Sequence, residues 1–407
     1  MEPKYHKEIE EKMIRFAYTM QIQLPYIQNN NDIPIIEKEL WTSKQKQCNP
    51  IHEISYRACF KAQLPNYFIQ KYTKEGDIVY DPFSGRGTTG IEASLNGRIA
   101  YFNDINPLSR IMAEPRLNLV DIEIISKRFD EILSNNNIPA NTEIDLSMFF
   151  HIKTFEEIVK IKQYLIDKEK QNKLDAVDKW IRLLVLNRLT GHSSGFLSTF
   201  TLPPNQAVSP ERQLLINQKY NNKIEYKNVK KCCLKKYKAL TSDIDIFTQK
   251  KLDFVKEKAL FLTKDAEKTP EIKDNSVDLI ITSPPFLDVI NYKQDNWMRC
   301  WFCNIDIDSV NISCFKKLQD WEDKMYNVLL ELKRILKTNG HIAFEVGEVK
   351  NGKIKLEQSI VNMANKIGFS NIKVFINKQS FTKTSNIWGI TNNKKGTNSN
   401  RIVFITK

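Results

Sequence analysis

The pattern of apolar and polar residues predicts a chain built mainly from strands that alternate with helices. Residues 78–97 read as a strand, a glycine-rich turn and a helix, and residues 98–107 as a second strand that ends in an acidic turn. Strand-to-loop patterns return at 258–266 and 277–286. This succession is typical of a parallel, doubly wound sheet.

The last quarter of the chain continues the alternation. A helix is expected over 321–340, closed by Gly340 at its end. Residues 341–349 predict a strong strand, a helix and a strand follow, and residues 401–407 predict a closing strand.

Two regions depart from this pattern. The first fifty residues are polar and are broken by prolines, so they predict an irregular arm with short helices, and an aromatic-rich helix is expected over 52–72. Residues 111–255 carry long helical patterns, a loop rich in Pro, Ser and Thr, and a lysine-dense stretch. We interpret them as an insertion, which leaves 51–110 and 256–407 as one domain and 1–50 as the arm.

Composition sets broad limits on the class of protein. The 407 residues are 41% hydrophobic and 27% charged, an ordinary balance for a chain with a well-buried core. Lys and Arg number 61 against 48 Asp and Glu, which gives a net charge of +13. A basic surplus favours a polyanionic partner, although a generally lysine-rich composition gives the same charge without one.

Cysteine usage and hydropathy point to the cytoplasm. No run of about eighteen apolar residues occurs, so no membrane span is predicted, and the charged N-terminus lacks the apolar core of a secretion signal. Seven cysteines in such a chain indicate reduced thiols. Cys300 and Cys303 form a CxxC, but Cys232 and Cys233 are adjacent and offer no second one, so no zinc site is predicted.

The segment DPFSGRGTT at 81–89 carries the first candidate chemistry. A strand ends at Asp81, and Gly85 and Gly87 allow a turn tight enough for backbone amides to approach a ligand. The two threonines that follow begin a helix whose positive end suits a carboxylate. Taken alone, the turn fits an ordinary strand-to-helix loop equally well.

An acidic residue follows the next predicted strand, at a position where such residues often bind a nucleoside. Asp104 follows this strand about twenty residues further on, where an acid binds ribose hydroxyls in nucleoside-binding sheets. No GxGxxG is present, which disfavours a dinucleotide. An adenosine linked to an amino acid, such as S-adenosylmethionine, fits better.

The segment TSPPF at 282–286 carries the second candidate chemistry. Its two prolines fix the backbone and donate no hydrogen bonds. The Ser283 hydroxyl and the Pro284 carbonyl can accept hydrogen bonds from an amine, and Phe286 offers a face on which a base can stack. A proline-rich turn without chemistry is the alternative when this segment is taken alone.

In combination, the two segments resemble the cofactor loop and the catalytic loop of bacterial amino-group DNA methyltransferases. The resemblance spans roughly residues 50–407. Further similar segments are 52–65, 103–107, 186–196, 201–209, 264–266, 286–302, 343–349 and 395–404. It implies an α/β fold of the S-adenosylmethionine-dependent (Rossmann-like) kind, with a mixed, mainly parallel sheet and a mostly helical insertion.

The resemblance also implies the cofactor, S-adenosyl-L-methionine, and assigns residues to it. Phe60 lies in the segment that caps the cofactor, and Asp265 is placed near the adenine amine. The predicted cofactor-binding residues are Phe60, Asp81, Pro82, Phe83, Ser84, Gly85, Gly87, Thr88, Thr89, Asp104, Ile105, Asp265 and Ala266. The predicted catalytic residues are Ser283, Pro284, Pro285 and Phe286.

Double-stranded DNA is the expected partner, and the insertion is the expected reader of its sequence. Its small, hydroxyl, aromatic and basic residues suit base edges and phosphates, although a structural loop and a solvated helix face are the alternatives. The predicted DNA contacts are Arg188, His192, Ser194, Lys230 and Lys231.

The segment after TSPPF is expected to wall the base pocket. Asp295 could orient the target base or pair with Arg299 four residues further on, and the pairing is the favoured interpretation.

The expected reaction moves a methyl group to the exocyclic amine of a flipped-out base. In the family, Ser-Pro-Pro goes more often with N4 of cytosine, so N4 is favoured and N6 of adenine is the alternative. C5 of cytosine is disfavoured, because that chemistry needs a nucleophilic Cys, normally in a Pro-Cys pair, and no such pair occurs.

Two other classes of function stay open from the sequence. One is an RNA base-amine methyltransferase, whose loops are similar. The other is a DNA-binding protein that kept the fold without the activity. The recognition sequence, a cognate restriction endonuclease and the choice between monomer and dimer are not set by the sequence.

Overall fold

The computed structural model describes residues 23–26, 33–37, 48–56, 59–139, 144–203, 206–285, 292–312, 315–346, 348–349, 354–378 and 399–407. The chain divides into two compact units. One comprises 47–270 and 288–315, and the other comprises 1–46, 271–287 and 316–407. We call them the glycine-turn unit and the diproline unit, after the segments DPFSGRGTT and TSPPF.

Strands occur in both units and are numbered in chain order. They are β1 Gln23–Tyr26, β2 Ile33–Glu37, β3 Ile78–Asp81, β4 Ile99–Asn103, β5 Leu260–Leu262, β6 Val277–Thr282, β7 Leu336–Val346, β8 Glu348–Val349, β9 Ile354–Lys355, β10 Ser370–Lys378 and β11 Ser399–Thr406.

The α-helices are numbered in the same way. They are α1 Gln63–Tyr72, α2 Thr88–Leu95, α3 Leu108–Ala113, α4 Ile122–Ser134, α5 Ile152–Lys170, α6 Ala176–Arg188, α7 Pro210–Tyr220, α8 Val229–Thr241, α9 Ile246–Lys256, α10 Tyr292–Phe302, α11 Leu318–Ile335 and α12 Leu356–Ile367. Short 3₁₀ helices form at Pro50–His52 and Glu114–Leu117.

The glycine-turn unit contains three parallel strands. β3 pairs with β4, and β4 pairs with β5, with Phe102 opposite Phe261. Phe102 and Phe261 stack with ring centroids 4.6 Å apart. Because parallel neighbours run in one direction, the carboxyl ends of β3, β4 and β5 lie at one edge, and the loops that follow them meet there.

Helices α4 to α9 follow β4 and return the chain to β5. In α4, Ile125, Phe129 and Ile132 are buried at helical spacing, and the Asp121 side chain caps the helix by accepting the Glu123 amide hydrogen. Trp180 of α6 is fully buried in the same apolar core. The predicted helical insertion is therefore confirmed in its secondary structure.

The diproline unit contains a mixed sheet. β6 and β7 are parallel, β7 and β11 antiparallel, β11 and β10 antiparallel, β10 and β2 parallel, and β2 and β1 antiparallel. Helices α11 and α12 contribute fully buried residues such as Trp321, Leu329 and Ile360. The predicted α/β fold with a mixed sheet is confirmed by these pairings.

The strands predicted within 78–97, 98–107, 258–266 and 277–286 are confirmed and form at 78–81, 99–103, 260–262 and 277–282, and the closing strands are confirmed as well. The predicted irregular arm is wrong where the structure describes it, because β1 and β2 form there. Pro25 and Pro34 face each other in the register of these two strands. Isoleucines at 33, 35 and 36 favour a strand, and this preference outweighs the breaking effect of proline near an edge.

The predicted helix over 52–72 forms only from Gln63 onward. Residues 53–56 stay outside any helix, because their backbone groups bind side chains far along the chain. The Ser55 amide donates to Asn187 Oδ1 at 3.0 Å, and the Ser55 carbonyl accepts from Arg299 at 2.9 Å. These bonds replace the helical hydrogen bonds.

The helix expected over 321–340 ends earlier than predicted. α11 ends at Ile335, and Leu336 already has the extended backbone of β7, so Gly340 does not close the helix and lies within the strand. The buried Leu336 side chain and the pairing of Leu336 with Val277 favour the strand at this point.

Among the described helices, none is both long and apolar enough to cross a membrane. The predicted division at residues 50, 110 and 255 stays a prediction.

Candidate functional site

The glycine turn after β3 is held against the end of β4. The Ser84 amide donates to the Asn103 carbonyl at 2.8 Å. The Ser84 hydroxyl donates to the Asp81 carbonyl at 2.8 Å and accepts the Asn103 amide hydrogen at 3.1 Å. Ser84 thus joins the two strand ends through backbone groups, which fixes the path of the turn.

The glycines are required by conformation and by space. Gly87 has φ +83°, and a Cβ there would lie 2.9 Å from the Ala113 Cβ. Gly85 has φ +50°, and its amide donates to Asp104 Oδ2 at 2.8 Å. A larger residue at 87 would push α3 away from the turn, because the Ala113 Cβ is attached directly to the backbone of α3 and cannot move without it.

Asp104 lies directly after β4 and is half-buried. Its carboxylate accepts the Gly85 amide hydrogen on one oxygen and the Asn106 amide hydrogen on the other, the second at 2.9 Å. Burial raises the pKa of Asp104 to about 6, against the opposing effect of these two hydrogen bonds. An ionised carboxylate has about four lone-pair sites, so it can still accept hydrogen bonds from ligand hydroxyls.

Asn103 connects all three loops at this edge. Its side-chain amide donates to the Pro82 carbonyl at 3.2 Å and to the Lys264 carbonyl at 3.1 Å. Its side-chain oxygen accepts the Lys264 amide hydrogen at 3.0 Å. Asn103 is fully buried and was not predicted, although an Asn directly before Asp104 at a strand end was a signal that could have identified it.

Arg116 stabilises the glycine turn through hydrogen bonds to backbone carbonyls, and it was also not predicted. Its fully buried guanidinium donates to backbone carbonyls of Met112, Ile51 and Arg86, the first two at 2.9 and 3.1 Å. Burial lowers the pKa of Arg116 to about 9, and the charge of Arg86 adds to the effect. The side chain therefore stays charged at neutral pH and ties the 3₁₀ helix at 50–52 to the glycine turn.

The other predicted cofactor-binding residues lie in the same unit. Pro82, Thr88, Thr89 and Ala266 are buried, and Phe60, Phe83, Ile105 and Asp265 are half-buried. Thr88 and Thr89 form the first turn of α2. The Asp265 carboxylate accepts the Glu267 amide hydrogen at 3.0 Å, which orders the turn after β5.

The predicted catalytic segment follows β6 in the diproline unit. Ser283 and Pro285 are half-buried and Pro284 is buried, whereas Phe286 lies outside the described residues. The Pro285 carbonyl accepts a hydrogen bond from the indole Nε1 of the buried Trp321 at 3.0 Å. Trp321 of α11 was not predicted, and it fixes the second proline of the segment.

The predicted DNA contacts are dispersed in the insertion. The Arg188 guanidinium lies 4.0 Å from the centre of the Phe196 ring and donates to the Asn187 carbonyl at 3.1 Å. Lys230 pairs with Asp130 at 2.6 Å. Arg188 and Lys230 thus have structural contacts, and their predicted contact with DNA stays a prediction, as it does for the exposed Lys231, His192 and Ser194.

Three lysines form an exposed stripe on α8. Lys231, Lys235 and Lys238 are exposed and follow each other at helical spacing. Among the described residues, no carboxylate pairs with any of them. We call these three residues the lysine stripe. Only Lys231 was singled out from the sequence, because spacing alone does not show which lysines of a dense run are buried.

The CxxC of α10 lies inside the apolar core. Burial raises the pKa of the Cys300 and Cys303 thiols to about 12, so both are protonated at neutral pH. The Arg299 guanidinium beside them donates to Asn296 Oδ1 at 2.7 Å. Burial lowers the pKa of Arg299, and the nearby charge of Asp295 opposes this effect only in part. Over the part of the chain that the structure describes, no group of three or more His, Cys, Asp or Glu residues could hold a metal ion.

Comparisons with known proteins give one family model and several sequence relatives. The model of the N6/N4 DNA methylase family matches residues 3–114. The chain is 23% identical over 342 residues to the Type II methyltransferase M.BsoBI of Geobacillus stearothermophilus, covering 77% of this chain and 66% of that protein. It is 23% identical over 279 residues to M.MvaI of Kocuria varians, covering 62% and 57%.

A shorter match is to the Type II methyltransferase M.MjaII of Methanocaldococcus jannaschii, at 32% identity over 93 residues, or 23% of this chain and 18% of that protein. The chain thus spans about two thirds or less of the length of these relatives. A solved S-adenosylmethionine-dependent methyltransferase from Methanosarcina mazei aligns at 10% identity and a TM-score of 0.31, covering 84% of this chain and 96% of that chain.

The sequence matches bear on the family resemblance that the sequence predicts. The predicted resemblance to the bacterial amino-group DNA methyltransferases is confirmed by the family model and by the two longer Type II matches.

Replacing Asn103 with Ala tests the connection between the three loops. We expect the free energy of unfolding to fall by roughly 2–3 kcal/mol, because the Pro82 carbonyl loses a buried partner and both backbone groups of Lys264 lose a part-buried one. Urea unfolding measures the change. Asn135→Ala, at the exposed end of α4, is the control and should change stability by less than about 0.5 kcal/mol. Equal effects of the two substitutions would contradict the role of Asn103.

Replacing Trp321 with Phe tests the support of the diproline segment. An aromatic ring remains, but the hydrogen bond to the Pro285 carbonyl is lost and the smaller ring leaves a cavity in the core, so we expect a loss of roughly 2–4 kcal/mol of stability. Thermal unfolding measures it. Trp301→Phe is the control, since the described residues give its indole nitrogen no acceptor. A Trp321→Phe protein as stable as wild type would show that the hydrogen bond to the Pro285 carbonyl does not stabilise the protein.

Proposed function

We propose that the protein is a DNA methyltransferase that moves a methyl group from S-adenosyl-L-methionine to an exocyclic base amine, with N4 of cytosine as the preferred target. The observation that carries the proposal is the placement of the Asp104 carboxylate against the glycine turn, at the edge where β3, β4 and β5 end. The matches to Type II methyltransferases support it.

The residues at this edge fit the proposed cofactor. Asp104 would accept hydrogen bonds from the ribose hydroxyls. The glycine turn and the first turn of α2 would hold the amino-acid end, since amide hydrogens and the positive end of a helix suit a carboxylate. Asp265 and Ala266 would lie along the adenine. When bound, the cofactor supplies a methyl group on a positively charged sulfur, which needs no activation by the protein.

The diproline segment would hold the amine that accepts the methyl group. Ser283 Oγ and the Pro284 carbonyl would accept the two amino hydrogens and so orient the nitrogen lone pair. Phe286 would stack on the base. Because a paired base keeps its amine inside the duplex, the base has to leave the stack before it can bind there.

The identity of residue 283 supports cytosine as the target. A serine hydroxyl is neutral and is a weaker acceptor than the carboxylate of an Asp-Pro-Pro segment. N6 of adenine offers a similar amine, so the target atom has to be measured.

The lysine stripe supports DNA as the substrate. Three exposed lysines at successive turns of one helix can follow a phosphate backbone, and each phosphate they neutralise releases counterions. The net charge of +13 has the sign that such a partner requires.

Nucleoside mass spectrometry on DNA from cells that express the chain tests the proposal. We expect N4-methylcytosine with wild type and, with Ser283→Ala, a loss of turnover of roughly 100-fold with unchanged cofactor affinity, because the hydroxyl positions the amine and does not touch the cofactor. Calorimetry gives the affinity. Ser276→Ala, just before β6, is the control. N6-methyladenine would change the target atom, and the absence of any modified base would refute the activity.

The pH dependence of cofactor binding tests Asp104. Its raised pKa of about 6 means that the carboxyl group is protonated, and a poorer acceptor, as pH falls below 6. We expect the Kd for S-adenosylmethionine to rise about tenfold from pH 7.5 to pH 5. The same shift stabilises the ligand-free fold at low pH, and that contribution is lost as pH rises through 6.

Asp104→Asn should bind weakly at both pH values, and the control Asp77→Asn should keep the wild-type pH dependence. Wild-type affinity that does not change between pH 5 and 7.5 would exclude Asp104 from the ligand contact.

A further inference from the structure

A cavity lies in the glycine-turn unit, and none of its lining residues belongs to the loops that follow β3, β4 and β5. Its volume is about 570 Å³, and it is lined by residues 206–210, by Arg212 of α7, by the first turns of α10 and by Ile307. This volume falls within the range of roughly 300–1,000 Å³ that small ligands occupy in proteins. We call it the α7–α10 cavity.

One wall of the cavity is apolar and fixed in place. Ala207, Val208, Trp297 and Ile307 contribute to it. The Trp297 indole nitrogen donates to the carbonyls of Ala207 and Val208 at 3.3 and 3.2 Å, so the two sides of the cavity are tied together. An aromatic ring held in this way favours a flat partner, and bases stack on such rings whatever their sequence.

The cavity also has groups that can distinguish bases. Asp295 lines it from the first turn of α10 and is only 6% exposed. Gln206 and Gln294 add amides that donate as well as accept. A carboxylate accepts hydrogen bonds from the amino groups of cytosine and adenine and is repelled by the carbonyl that thymine presents at the same place.

The mouth of the cavity is basic. Arg212 is exposed in the first turn of α7, and among the described residues no carboxylate pairs with its guanidinium. The positive end of α7, capped by Ser209, lies beside it. Lys293 also lines the cavity, although it lies 3.5 Å from Asp308. A phosphate group fits this end.

We propose that the α7–α10 cavity binds one nucleotide of duplex DNA other than the methylated one, with its base against Trp297, its amino edge at Asp295 and its phosphate at Arg212. The proposal rests on DNA being the substrate. It adds that one position of the recognition sequence requires cytosine or adenine and that Asp295 reads the amino group of that base.

Selection of bound duplexes from a randomised DNA pool tests this without methyl transfer. The wild-type protein should enrich sequences with cytosine or adenine, and neither guanine nor thymine, at one position, because guanine and thymine present a carbonyl where the other two present an amino group. Asp295→Asn should lose that preference by roughly 10-fold while the rest of the sequence is kept, since a lost base contact costs about 1–3 kcal/mol. Glu211→Gln, an exposed acid outside the cavity, is the control for the change in charge.

Arg212→Ala adds a second measurement that does not depend on the buried acid. Affinity for all sequences should fall, and the slope of log K against log salt should decrease by about 0.9, the value for one phosphate. Lys219→Ala, at an exposed position of the same helix, should leave the cavity contact intact.

The outcomes separate this proposal from the proposed function. If wild type selects DNA sequences but methylates none, the activity is wrong and the cavity assignment stands. If wild type selects no sequence, if only an RNA pool is enriched, or if Asp295→Asn keeps the full wild-type preference in a protein of unchanged melting temperature, the cavity assignment is overturned.

Discussion

The buried side chain of Asn103 is the interaction on which the candidate site depends. A strand end leaves backbone groups without sheet partners, and three such ends meet where β3, β4 and β5 finish. One amide satisfies groups from two of the following loops, at Pro82 and Lys264. In the first loop, the Ser84 hydroxyl also satisfies two backbone groups, because it donates to the Asp81 carbonyl and accepts the Asn103 amide hydrogen. The loops therefore hold their positions without a ligand, and a ligand would meet a preformed surface.

Two charged groups flank this surface with opposite consequences. Arg116 is buried against backbone carbonyls and stays charged, so it stabilises the turn from the inside. Asp104 pays for its position with a raised pKa, because two backbone amide hydrogens do not fully replace water around its charge. An acid that is incompletely solvated in this way is the kind of group that gains from a ligand with hydroxyls.

The sequence was most informative where a structural requirement is met by neighbouring residues in the chain, as in a turn or a strand. Gly85 and Gly87 need positive φ, and the apolar runs that end at Asp81 and Thr282 need a sheet, so turn and strands could be predicted. Arg116 and Trp321 act on backbone groups that only the folded chain brings near them, and no pattern in the sequence reveals these contacts. The same cause explains the missing helix at 53–56, where Asn187 and Arg299 take the backbone hydrogen bonds.

The pairing of β4 with β5 has a consequence for how such a chain can change. Tyr101 lies opposite Leu260, although roughly 150 residues of helices separate the two strands in sequence. Neighbouring strands lie only about 4.8 Å apart, so the segment that leaves the sheet at the carboxyl end of β4 re-enters it at the amino end of the strand next to β4. A segment anchored like this can be lengthened, shortened or exchanged while the sheet stays as it is. The helical segment between β4 and β5 can therefore vary in length and sequence, whereas the sheet that carries the strand ends cannot.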